Sequence, residues 1–366
     1  MAEEKLDALL ISVPVDDGFG RHGENRKYVS GFTGSAGMAL VTTTKALFAA
    51  DFRYTEQAER ECAPFGMSVF KALGNSEDWV PAFLREAEIA GKKLGISRAD
   101  MSLGGYVTLQ ERVKKMADPE RPHLVVPGPI VEKLRRLKDA SELALIQRAV
   151  DIADAACESV IDALTPAHTE RDVAALFANE VVRRGAEGIS FETIVAGGPW
   201  SAMPHASPRD EALGTGRPIV IDCGAQFEGY CSDLTRTVVL GEPDAKFGEI
   251  YEIVFEAQQA AIAGVEPGMK GPDAHNLAAA VIERYGYGER FGHGLGHGVG
   301  LEVHEAPYLG VSSTDVLEEG MVFTIEPGIY LPGWGGVRIE DIVVLENGKA
   351  RVLSHARKLT PTGVVQ

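Results

Sequence analysis

Cysteine is scarce. The 366 residues contain four, Cys62, Cys157, Cys223 and Cys231, and no CxxC pair. That excludes a disulfide scaffold and suits a reducing, cytoplasmic setting. No run reaches the roughly 18 apolar residues of a membrane span. The start, from Met1 to Val13, lacks the basic opening and long apolar run of a signal peptide. Positive charge is short: 36 Lys and Arg face 53 Asp and Glu, a net −17 with no basic block. A general nucleic-acid binder and a protein docking on anionic lipid are disfavoured. Gly-x-Ser-x-Gly is also missing, and with it the nucleophile elbow of a serine hydrolase. What is present is a 45% hydrophobic chain, enough for a sizeable core across two domains.

The first 130 residues alternate strand-like and helix-like segments. Ala8–Val13, Gly37–Thr42, Ala46–Ala50 and Lys93–Ile96 read as strands, and Tyr54–Cys62 and Glu77–Ala90 as helices. This alternation predicts a small α/β domain. The glycine-punctuated segment from Gly31 to Gly37 lacks the Gly-Lys-Ser/Thr ending of a phosphate loop and reads as a tight turn. Pro119, Pro122, Pro127 and Pro129 read as a linker. Ile130–Leu164 then carries one long helical pattern, which Pro166 ends, and His168 just beyond reads as a surface or cap residue. Further on, Arg217–Phe227, Tyr230–Leu240, Met321–Tyr330 and Val337–Leu345 read as strands, with helices over Gly248–Gly264 and Ala274–Tyr285. Helices interspersed with hairpins predict an α+β domain with a covered antiparallel sheet. No internal repeat is strong enough to alter that.

Three segments carry chemistry. In the first, a turn near Glu228-Gly229 folds Ile219–Phe227 back on Tyr230–Thr235. Asp222 and Asp233 then fall on adjacent strands, where cross-strand neighbours lie about 4.5–5.5 Å apart. Ile219-Val220-Ile221 precedes Asp222 without alternation, as in a strand buried on both faces, so this carboxylate needs a partner. In the second, Gly292 to Gly300 holds His293 and His297 among glycines, and His304 follows. It has neither the spacing of a dinucleotide fingerprint nor a His-Glu-x-x-His pattern. In the third, Glu326 sits in an apolar strand before Pro-Gly, and Arg338 and Glu340 stand two apart on one face of a strand, where a plain ion pair is the alternative. Asp341 points the other way. Asp222, Asp233, Glu326, Glu340 and one histidine, taken as His297, match two divalent ions of the Mn²⁺, Co²⁺ or Zn²⁺ kind. Cys223 faces away from Asp222 and reads as core; Cys231 could share the face of Asp233, but a soft thiolate suits an oxygen-rich site poorly.

These residues resemble the pita-bread metallopeptidases, which include methionine aminopeptidase, aminopeptidase P and prolidase, and most of all the proline-specific branch. The run from His293 through Pro307 and the Thr-Ile-Glu-Pro-Gly and Arg-Ile-Glu-Asp segments match that branch in order. The first domain resembles the creatinase-like amino-terminal domain. The resemblance implies a creatinase-like α/β domain over 1–129 and a pita-bread catalytic domain over 130–366, α+β overall. It implies metal ligands Asp222, Asp233, His297, Glu326 and Glu340, with Asp233 and Glu340 bridging. His205, His293 and His304 would surround the substrate, Arg338 would stand beside the bridging glutamate, and Glu326 would shuttle the proton. The implied activity is an Xaa-Pro aminopeptidase using a hydroxide held between two ions, Mn²⁺ first, with Co²⁺ or Zn²⁺ as alternatives. The runner-up is an Xaa-Pro dipeptidase. Short peptides with a free amino terminus and proline second are the expected partners, with no nucleic acid or membrane, for a homodimer. A creatinase-like hydrolase without metals and a non-catalytic binding protein are the other classes; the complete ligand set argues against both.

Overall fold

The computed structural model describes residues 1–12, 23–360 and 363–365. The chain forms two compact units, Met1–Arg135 and Arg136–Gln366.

In the first unit, strands β1 (Ala8–Ser12), β2 (Met38–Thr42), β3 (Ala46–Ala50), β4 (Ser68–Lys71), β5 (Lys93–Ile96) and β6 (His123–Val125) form one mixed sheet in the order β4-β3-β2-β1-β5-β6. Val13, expected to close the first strand, lies outside the described residues. All five residues of β1 are buried, because both sheet faces are covered. Ala8 and Leu10 pack with Val80, Phe83 and Leu84 on one face, whereas Leu9 and Ile11 pack with Ala58 and Cys62 on the other. The two expected helices are α2 (Thr55–Cys62), which follows α1 (Glu24–Ser30), and α3 (Ser76–Glu86). The latter stops short of Ala90 because Glu88 adopts φ 56°. After α4 (Leu103–Lys115), β6 runs through the proline cluster as an edge strand parallel to β5. Those prolines flank a sheet strand, not a linker. The Gly31–Gly37 turn is held by Arg26, which donates to the carbonyls of Gly34 and Gly37.

The expected helix over 130–164 is two. α5 (Val131–Arg135) ends the first unit, and α6 (Ala140–Ala163) opens the second. Asp139 separates them: its side chain accepts from Ser141 N and Glu142 N while Glu142 accepts from Asp139 N, a reciprocal cap that starts a new helix. Leu134 and Leu137, apolar residues within that span, are exposed. His168 lies in the turn that follows α6, its Nδ1 accepting from Thr165 N.

The second unit repeats one plan twice, a helix pair followed by antiparallel strands. α6 and α7 (Glu170–Arg183) pack on β8 (Ile194–Gly197), β9 (Ile219–Cys223) and β12 (Leu234–Val238), which follow a short β7 (Gly188–Ile189) and enclose β10 (Ala225–Phe227) and β11 (Tyr230–Cys231). α8 (Ala245–Gly264) and α9 (Gly271–Arg284) pack on a sheet of β13 (Gly296–Gly298), β14 (Glu305–Leu309), β15 (Val322–Ile325), β18 (Asp341–Glu346) and β19 (Lys349–Val352). β16 (Gly328–Leu331) pairs separately with β17 (Gly335–Arg338). No helix among the described residues is long and apolar enough to cross a membrane.

The glycine run has a steric cause. β13 is wedged between β14 and β15, and side chains on alternate positions would have no room. A Cβ on Gly296 would overlap the Thr324 carbonyl, one on Gly298 the Ala306 backbone, and one on Gly300 the Glu305 carboxylate. The intervening Leu295, His297 and Val299 have space, and that alternation presents His297 to the cavity. Gly298→Ala is therefore expected to cost about 2 kcal/mol through overpacking. Gly292→Ala, whose Cβ meets open space, should stay within about 0.5 kcal/mol of the parent. Urea midpoints check this, and equal midpoints for the two variants would refute the steric account.

Candidate active site

All nine residues singled out from the sequence line one cavity of about 380 Å³: His205, Asp222, Asp233, His293, His297, His304, Glu326, Arg338 and Glu340. Their placement departs from the simple hairpin and strand picture. Asp222 pairs with Thr235 and Cys223 with Leu234, so the two aspartates are offset along the ladder rather than opposite. The hairpin turns at Glu228-Gly229, with φ 48° and 84°, but its arms split between two sheets. Asp233 lies in the gap between β11 and β12. Glu326 lies between β15 and β16, and Glu340 between β17 and β18. Three carboxylates thus stand where a strand is interrupted, freed from ladder geometry and aimed into one space.

The ligand atoms of Asp233, His297 and Glu340 all lie within 4.8 Å of one another, a triad able to hold a divalent ion. His297 Nε2 is 3.6 Å from Asp233 Oδ2 and 3.4 Å from Glu326 Oε1. Its Nδ1 is 3.2 Å from the Gly298 carbonyl. A carbonyl only accepts, so Nδ1 carries the proton and the Nε2 lone pair faces the carboxylates, the tautomer that metal ligation needs. Asp222 Oδ1 and Asp233 Oδ1 are buried and have no hydrogen-bond partner among the described residues.

The electrostatics are strained in the absence of further positive charge. Burial, then the neighbouring Glu340, Asp222 and Glu326, push the Asp233 carboxyl far up. Burial and the charges of Glu326 and Asp222 do the same to Glu340. Burial raises Glu326 to about 8, with Arg338 opposing it. The histidines move the other way. Burial takes His297 to about 3 and His293 to about 4, and lowers His304 as well. Carboxylates pushed towards protonation, imidazoles held neutral and orphaned oxygens together fit divalent cations.

Among the described residues of the lining, Arg338 is the one arginine or lysine. Its guanidinium donates to Asp222 Oδ2 at 2.6 Å, Thr235 Oγ1 at 3.1 Å and the Tyr330 hydroxyl at 2.9 Å, not to Glu340. Glu340 instead accepts from Thr235 Oγ1 at 2.6 Å. The Tyr330 hydroxyl is also 2.9 Å from His293 Nε2, and His293 Nδ1 is 2.8 Å from the Gly294 carbonyl. Thr324 Oγ1 donates to Glu326 Oε1 at 3.2 Å and accepts from His297 N at 3.1 Å. Thr235, Thr324 and Tyr330 were missed in the sequence. Their only signal was proximity in sequence to the acidic residues. Asp341 does point away, into an ion pair with Arg236 at 2.8 Å and another with Lys358. Cys223 is buried core, and Cys231 Sγ lies 3.7 Å from the Leu301 carbonyl.

Residues 144–347 match metallopeptidase family M24, and residues 1–137 match the creatinase/prolidase N-terminal domain. The chain is 40% identical over 360 residues to an uncharacterized peptidase of Bacillus subtilis, covering 98% of this chain and 99% of that one. It superposes on an Xaa-Pro dipeptidase from Bacillus anthracis with TM-score 0.89 and 37% identity, over 98% of this chain and 96% of the other. An X-Pro aminopeptidase from Thermotoga maritima matches with TM-score 0.85 and 35% identity, over 96% of each chain.

The carboxyl shifts have a measurable sign. A Glu326 raised from 4.5 to about 8 holds a proton in the folded chain that the unfolded chain releases. Its contribution to metal-free stability is complete below the unfolded value and is lost as pH rises through the folded one. His293 and His297 oppose this only below their ordinary 6.5. Between pH 6.5 and 8 the carboxyls act alone. The melting temperature of chelator-stripped protein is expected to fall across that window, and saturating Mn²⁺ to shrink the fall. A flat or rising profile without metal would contradict this electrostatic picture.

Proposed function

This chain belongs to metallopeptidase family M24, and we propose that it is an Xaa-Pro aminopeptidase, releasing the first residue of peptides whose second residue is proline. The observation that carries the reading is the convergence of four carboxylates and one correctly protonated imidazole on a cavity whose single cation among the described residues, Arg338, is fully committed. That commitment also favours an aminopeptidase over a dipeptidase: among the described residues, the main cavity offers no uncommitted cation to receive the carboxylate of a terminal proline. Asp222, Asp233, His297, Glu326 and Glu340 would hold two divalent ions, Mn²⁺ first, whose chemistry when bound would be a water of lowered pKa and a polarised scissile carbonyl.

The chain's own residues do the rest. Glu326 takes the proton from the attacking water and delivers it to the proline nitrogen. That nitrogen belongs to a tertiary amide and must be protonated before it leaves. His304, at the exposed side of the cavity and neutral near pH 7, donates an N–H to the developing oxyanion. His293 has both ring nitrogens engaged, so it orients substrate with its ring, against which a proline ring packs. Arg338 holds Asp222 and, through Thr235, Glu340. His205 stands at the exposed mouth. The net charge of −17 favours a cationic peptide amino terminus over an acidic substrate. A cytoplasmic homodimer is part of the proposal; four buried free thiols suit a reducing compartment.

Protein loaded with Mn²⁺, Co²⁺ or Zn²⁺ is expected to cleave both Xaa-Pro and Xaa-Pro-Xaa before proline. Cleavage confined to the dipeptide would transfer the assignment to an Xaa-Pro dipeptidase, and inertness towards both would sink the proline reading. Glu326→Gln should lower kcat by about 10²–10⁴. Full activity in the purified variant would remove Glu326 from the proton path.

A further inference from the structure

Beside the main cavity lies a second depression of about 350 Å³. The two share Pro204, His205 and His293, and the second adds Glu289, Arg290, Gly292 and Tyr330. Arg290 closes the short 3-10 turn Gly288–Arg290 and is exposed. Its guanidinium makes no hydrogen bond, ion pair or ring contact among the described residues, not even with the neighbouring Glu289. A Cβ on Gly292 would meet open space, so the floor beside Arg290 is unfilled. The other cation of the combined lining is Arg338, buried and committed. In a chain of net charge −17, Arg290 is therefore, among the described residues, the uncommitted positive group at this end of the site.

We infer that Arg290 is a specificity-determining residue that receives the terminal carboxylate of the residue following proline, making Xaa-Pro-Xaa tripeptides the preferred substrates. The inference rests on the proline-peptidase reading above. A peptide leaving the carboxylate cluster past His293 and His205 enters this depression, and each further residue advances it by about 3.3–3.6 Å. A guanidinium presents a planar pair of donors to a carboxylate, and an amide or a continuing chain forfeits that charge-assisted pairing.

The test uses the full-length Mn²⁺-loaded chain and its Arg290→Gln and Arg290→Lys variants, with Ala-Pro-Ala, Ala-Pro-Ala-amide and Ala-Pro as substrates. Arg290→Gln is expected to lower kcat/KM for the free tripeptide by about fivefold to tenfold, mainly through KM. The amide and the dipeptide should move less than about twofold, and Arg290→Lys should recover part of the loss. Calorimetric binding of the product Pro-Ala, compared with Pro-Ala-amide, should show the same selective loss without turnover. An equal loss for acid and amide, or a loss on Ala-Pro, overturns the role of Arg290 while leaving the peptidase reading intact. If the parent protein cleaves none of the three, the peptidase reading fails and this inference falls with it.

Discussion

Four carboxylates share one low-dielectric cavity with a single arginine. That imbalance is the constraint on which the catalytic unit depends. Charge taken out of water must be neutralised by a proton, a counter-charge or a metal. Arg338 answers for Asp222 and, by way of Thr235, steadies Glu340. Asp233 and Glu326 feel the charge of Arg338 without a hydrogen bond to it, and Asp233 has an oxygen with no partner at all among the described residues. Protons fill the deficit in the metal-free chain. Divalent cations would fill it in a form that can also do chemistry.

The fold is arranged to create this conflict in one place. Two helix-covered antiparallel layers contribute to the same space, Asp222 and Asp233 from the first and His297, Glu326 and Glu340 from the second. Interrupting strands at Asp233, Glu326 and Glu340 lets backbone hydrogen bonding resume on either side while each carboxylate turns inward. Behind the cavity, Arg236 donates to the carbonyls of Glu340 and Thr235 and to Asp341 Oδ1. The backbone that carries the carboxylates is thus anchored from its buried side, as ligand geometry requires.

Much of the site could be read from residue type and order, because carboxylates in apolar strands and histidines between glycines have few structural uses. Their spatial relations were less legible. The turn near Glu228-Gly229 placed Asp222 and Asp233 on adjacent strands but left their register open, and the register sets Asp222 against Thr235. Period-2 reasoning carried single strands through Glu326 and Glu340, because the apolar pattern continues across both interruptions. Local hydrogen bonds decide such breaks, as Asp139 does where one apolar stripe becomes two helices. Thr235, Thr324 and Tyr330 stayed hidden since each hydroxyl takes part of its role from a partner distant in sequence, Glu340, His297 and His293 respectively. In the first unit the strands were legible, but prolines around His123–Val125 masked an edge strand that tolerates them.

The central claim is that cations hold this acidic cavity together, and the most direct measurement is the divalent-metal content of the protein after purification and exhaustive dialysis, by elemental mass spectrometry. The account expects about two ions per folded chain, lost together when Asp233 and Glu340 are both replaced by their amides. A folded parent protein that cleaves Xaa-Pro bonds while carrying no divalent ion would contradict it.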